Sequence, residues 1–161
     1  MTTIDAEDRE ELIDRLQEFP ARLQARIETV EDEEALKRAG PGGGWGGVEI
    51  LCHLRDLEAL FLERLELMLE EDNPNIDVVE DSLWPIQRDY LSQDPFEAFE
   101  EFTDLRRQSV EILLDTDVAG WARTGRHPVF GQITIRDFAE RINERDLDHE
   151  KQLIAALNQS E

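Results

Sequence analysis

Lysine is almost absent from this chain: Lys37 and Lys151 stand against fifteen arginines. Cysteine is just as scarce. Cys52 is the one thiol, which excludes an intramolecular disulfide and agrees with a reducing compartment. No stretch approaches 18 apolar residues, so no membrane-spanning helix is expected. Met1 to Glu10 is acidic and has no apolar core, which excludes a signal peptide and gives a cytoplasmic expectation. Basic charge is in deficit, with 39 acidic against 17 basic residues and a net charge of -22. Such a surface repels phosphate backbones and anionic lipid, so neither nucleic acid nor a membrane is an expected partner. An acidic, lysine-poor surface suits a high-salt cytoplasm. It is equally what an arginine-rich coding bias produces.

What remains is enough for a globular protein. The 161 residues fit a single domain spanning 1–161, and 40% hydrophobic with 35% charged residues is the balance of a folded chain. Strand signals are few: Ile76–Val79 and Gln132–Ile135 are too short to build a sheet. Four long segments instead carry helical periodicity. The first, about Asp5 to Val30, repeats Leu12, Leu16, Phe19, Leu23, Ile27 and Val30 at spacings of three and four. Pro20 falls inside it and should kink or split it. The second, about Gly46 to Glu71, has Gly46 as N-cap, Glu49 in its first turn, and the stripe Ile50, Leu54, Leu57, Phe61, Leu65, Met68.

The third segment starts at Asp94-Pro95, an N-cap followed by proline at the first helical position. Phe99, Phe102, Leu105, Ile112 and Leu113 are its expected inner face. The fourth opens at Thr134 with Asp137 as a capping box and runs to about Asn158. Its stripe is Ile135, Phe138, Ile142, position 145, position 149, Leu153 and Ala156. The stretches 39–47, 73–90 and 115–133 read as loops, the middle one with room for a short helix. Four amphipathic helices with long connecting loops predict an all-α four-helix bundle.

Two stripe positions hold histidine where leucine is expected. His53 follows Ile50 by three and precedes Leu57 by four; His149 follows Ile142 by seven and precedes Leu153 by four. Inward histidines from two helices are how bundles build metal sites, although a histidine on an apolar face is ordinarily a core residue. Cys52 lies about 100° round the helix from His53 and reads as a buried, inert thiol. The run GPGGGWGG lacks the lysine and serine of a P-loop and reads as a flexible joint before the second helix. Trp45, Trp84 and Trp121 are expected at the bundle ends, and Glu31 to Glu34 as a solvated turn. No Ser-His-Asp pattern or carboxylate dyad can be placed, so catalytic residues remain unknown.

Three segments together resemble the DinB/YfiT-like family: WGGVEILCHLRDLE (Trp45–Glu58), GRHPVFGQITIRDF (Gly125–Phe138) and RDLDHEKQL (Arg145–Leu153). The resemblance implies a four-helix bundle, a homodimer, and a divalent metal (Zn, Ni, Fe or Mn) on three histidines. One comes from the second helix and two from the last. His53 matches the first and His149 the last, but the middle position is Arg145. A guanidinium stays protonated and repels a dication. Three arrangements follow. Asp146 or Glu49 replaces the lost ligand, giving two histidines and a carboxylate. Arg145 instead fills the metal position, paired with Glu49 or another acid, so that no metal binds. Or Arg145 swings out and leaves a two-histidine site. His127, before Pro128, is expected as an extended turn residue near the site mouth, sharing the pocket with Arg145. The implied function is metal-dependent hydrolase-like or thiol-transferase-like chemistry on a small molecule. The alternative is a metal-free small-anion-binding or dimeric interaction protein.

Overall fold

In the computed structural model, which describes residues 4–30 and 32–158, the chain forms four long helices: α1 (Ala6–Ile27), α3 (Gly47–Glu70), α5 (Pro95–Asp115) and α7 (Ile135–Leu157). α3 packs on α5 and α7, and α1 packs on the same two, so the order round the bundle is α1, α5, α3, α7. Successive helices α1 and α3 are therefore diagonal, as are α5 and α7. Each diagonal step needs a connection long enough to cross a bundle end. Short elements occupy these two connections and the one between the adjacent α3 and α5: α2 (Glu33–Lys37), α4 (Trp84–Gln87) and α6 (Val118–Trp121), with single 3₁₀ turns at Pro41–Gly43, Asp81–Leu83 and Tyr90–Ser92. Among the described residues no helix is long and apolar enough to cross a membrane. Met1–Thr3 and Glu31 lie outside the described residues, so the N-terminal reading and part of the Glu31–Glu34 run go untested; Asp32 caps α2.

The helix starts follow the local chemistry of the sequence. Asp94 accepts from the Phe96 and Glu97 amides with Pro95 at the first helical position. Thr134 and Asp137 cap α7 reciprocally. Gly46 caps α3, and its amide donates to Glu49 Oε1 at 3.1 Å. Two of the glycines before α3, Gly40 and Gly46, are required by close packing rather than flexibility. A Cβ on Gly46 would sit 2.0 Å from the Arg38 carbonyl oxygen, and one on Gly40 2.3 Å from that of Trp45.

Three expectations are corrected. α1 runs unbroken through Pro20. The 115–133 stretch is not wholly a loop, because Thr124–His127 (β1) and Gly131–Thr134 (β2) pair as an antiparallel hairpin. Asn75 bridges Arg126, so both weak strand signals take part in backbone pairing. The hairpin survives although short because Ile133 and Ile76 are buried in the bundle core beneath it. The third correction concerns the inner faces. On α5 the buried set is Ala98, Phe102, Arg106, Ser109, Val110 and Leu113, with Phe99, Leu105 and Ile112 only half-buried. On α7 Asp146 is buried and Arg145 exposed.

Both shifts have one cause. Arg106, 2% exposed, enters the core from α5. It holds Asp146 of α7 through two bonds of 2.9 Å, Glu58 of α3 at 3.0 Å, and the Leu16 carbonyl of α1 at 2.9 Å. One guanidinium thus ties all four long helices. Burying a charge is tolerated only with such pairing, and the pairing turns α7 so that position 146, not 145, faces inward.

Candidate functional site

His53 is buried on α3, and His149 is half-buried on α7, across the same interface. Their ring centroids are 5.6 Å apart and the rings meet edge to face. Trp45 packs on His53 at 4.9 Å and Trp84 at 5.9 Å, so two of the tryptophans expected at bundle ends wall this site. Trp121 does belong to the core, donating to the Leu113 carbonyl.

Burial lowers the pKa of His53, with Arg145 adding to the effect. His149 is pushed down to about 4 by burial first, then by His53 and Arg145. Both imidazoles are therefore neutral near pH 7, the form that ligates metals. The Nδ1 atoms of both are buried and lack a hydrogen-bond partner among the described residues. An unpaired buried nitrogen costs about 1–3 kcal/mol, so each is an acceptor waiting for a proton or a cation.

The carboxylates expected as a third ligand are engaged elsewhere. Asp146 is locked to Arg106, and Glu49 caps α3. The helical proximity that suggested them was correct in distance along the chain but not in direction. Asp81, from the 3₁₀ turn after the long connection, brings Oδ2 to 3.3 Å from His53 Nε2. Nothing local in the sequence points to it. Among the described residues no group of three His, Cys, Asp or Glu side chains is disposed to hold one metal ion. The donor set fits a two-histidine half-site with a carboxylate beside it, not a three-histidine centre. Arg145 does not fill the metal position. It lies exposed one turn from His149 and has no carboxylate partner among the described residues. Cys52 is fully buried, its thiol pushed up to about 11 by burial, which suits an inert side chain.

A separate cavity of about 70 Å³ lies between α3, α7 and the hairpin. Arg64, Arg141, Arg145 and His127 line it with apolar side chains. His127 Nδ1 accepts from the Val129 and Phe130 amides at 3.1 and 3.2 Å, which leaves the ring proton of the neutral form on Nε2. Arg64 and Arg141 had no sequence signal, since an arginine on a helix is ordinarily a solvated one.

Two neutral histidines thus meet across the α3–α7 interface of a four-helix bundle. The chain belongs to the DinB superfamily, whose profile matches residues 7–153. It is 27% identical over 130 residues to a protein of Oceanobacillus iheyensis described as a candidate metal-dependent hydrolase, covering 78% of this chain and 72% of that one. It is 29% identical over 93 residues to YfiT of Bacillus subtilis, described in the same terms, covering 58% of this chain and 52% of YfiT. That match thus spans about half of YfiT's length. The solved structure of YfiT, reported with an unusual four-helix bundle topology, superposes with a TM-score of 0.86 at 22% identity, over 96% of this chain and 88% of that one.

Proposed function

We propose that this chain is a metal-assisted hydrolase in which His53 and His149 hold a divalent cation, with Asp81 alongside. The observation that carries the reading is two buried, unpartnered Nδ1 atoms on rings whose centroids lie 5.6 Å apart, both on imidazoles that burial keeps neutral. The family relatives described as candidate metal-dependent hydrolases support the reaction class. A cation at that place supplies Lewis acidity toward a substrate oxygen.

The chain's own residues account for the rest. Trp45 and Trp84 exclude water from one side of His53 and fix its ring. The Asp81 carboxylate, 3.3 Å from Nε2, favours the His53 tautomer with Nε2 protonated and Nδ1 free as a donor to metal. With two nitrogen ligands instead of three, affinity is expected to be weak, in the micromolar range or above, and most coordination positions stay open to substrate and water.

The test is metal content and zinc titration of protein purified without a metal-affinity tag, beside a His53→Ala His149→Ala variant. Binding of about one equivalent in the wild type, lost in the variant, supports the reading. Equal binding by both, or none by either, overturns it.

A further inference from the structure

The α3–α7 groove holds a concentration of positive charge that the rest of the molecule does not. Of a chain with 39 acidic residues, none lines the cavity beside the histidines. Arg64, Arg141 and Arg145 converge there, and none of the three has a carboxylate partner among the described residues. Most other arginines sit against carboxylates, among them Arg15, Arg55, Arg88, Arg106, Arg107 and Arg136, while Arg9 donates to the Leu113, Leu114 and Thr116 carbonyls.

Two of the three are also held in place. Arg141 lies over the Phe130 ring, 3.5 Å from its centroid. Arg64 donates to the Asp77 carbonyl at 2.5 Å, and its guanidinium stands 6.0 Å from the Phe138 centroid. Stacking on aromatic faces orients the planar guanidinium and leaves N–H edges to donate. Like charges brought together without a counterion repel, and the Arg64 pKa is lowered by burial and by Arg145. A bound anion would relieve that repulsion.

We infer that this cavity is a binding subsite for the oxyanion headgroup, carboxylate or phosphate, of a small ligand with an apolar body. Arg141 and Arg145 donate to the oxygens, Arg64 supplies charge at the base, and Phe130 and Phe138 contact the apolar part. A cavity of about 70 Å³ is several times the minimum that holds one water, room for a headgroup. The net charge of -22 does not forbid this. At physiological ionic strength fields are screened within about 8 Å, so the adjacent guanidinia outweigh the distant carboxylates. Leu57 and Arg145, which line the cavity, lie one helical turn from His53 and His149 respectively. The subsite itself does not depend on metal.

Calorimetric titration of the metal-free full chain at about 0.15 M ionic strength tests it, with benzoate and phenyl phosphate as probes and benzyl alcohol as the neutral control. Wild type is expected to bind at least one of the two anions, and which one identifies the headgroup. Arg141→Gln Arg145→Gln should weaken binding at least tenfold, since both charged donors to the oxyanion are removed. His53→Ala His149→Ala should bind the anion within about twofold of wild type, so loss of metal binding and loss of anion binding read out separately. Should the double glutamine variant not fold, Arg145→Gln alone, at an exposed position, carries the test. The inference is overturned if neither anion binds below about 10 mM, if benzyl alcohol binds equally well, or if the glutamine variant binds as wild type does.

Discussion

Arg106 donates through Nη1 to the carbonyl oxygen of Leu16 at 2.9 Å. In a regular helix that carbonyl accepts from the amide four residues later, but residue 20 is proline and has no N–H. The guanidinium of another helix supplies the missing donor, which is why α1 continues through Pro20. The same guanidinium neutralises Glu58 and Asp146.

Arg106→Met should therefore destabilise the fold by about 3–5 kcal/mol, because two carboxylates are left buried without a partner. Urea denaturation measures this. Adding Glu58→Leu and Asp146→Leu should recover much of the loss, since an apolar replacement of the whole cluster removes the unpaired charges. A cost below about 1 kcal/mol for Arg106→Met would contradict the network's role.

The histidine pair predicts a limb of acid destabilisation in the metal-free protein. The folded-state pKa of His149, about 4, is below its ordinary value near 6.5. A depressed pKa contributes stability that is present above about 6.5 and is lost as pH falls toward 4. His149→Leu should flatten that limb by on the order of 1–3 kcal/mol in denaturation measured from pH 7 to 4. Asp146 works in the opposite sense. Burial pushes its carboxyl up to about 6, so its contribution is present at acid pH and is lost as pH rises through 6. Asp146→Asn separates the two, because it removes only the second effect.

Arg145→His places an imidazole one turn before His149, at the third histidine position that the resemblance implies. Zinc affinity measured by chelator competition should rise at least tenfold, and benzoate or phenyl phosphate affinity should fall. No gain in zinc affinity would mean that the exposed direction of position 145 keeps it out of reach of the pair.

Gly46→Ala brings a Cβ against the Arg38 backbone, 2.0 Å from its oxygen and 3.0 Å from its carbon, where no side chain can yield. A loss of about 2 kcal/mol or more is expected in thermal or urea unfolding. Gly42→Ala is the control: its added Cβ meets open space, and only its φ of +65° opposes the change, for about 1 kcal/mol.

The sequence by itself determined where the long helices lie and how they begin. Apolar spacing along α1 and the caps Asp94, Gly46 and Thr134 act within a turn or two of chain, so local pattern suffices to read them. It also placed His53 and His149 on the inner faces of their helices. Tertiary packing decided the rest. Arg106 looks like any surface arginine until the carbonyl freed by Pro20, 90 residues away, is set beside it. Asp146 looked available as a ligand until that arginine claimed it, and Asp81 reaches His53 across a connection with no helical period. Arg64 and Arg141 become a cluster with Arg145 only when α3 and α7 meet. Periodicity reports which side of a helix is buried. It does not report which partner lies opposite, because that depends on contacts between residues far apart in the chain.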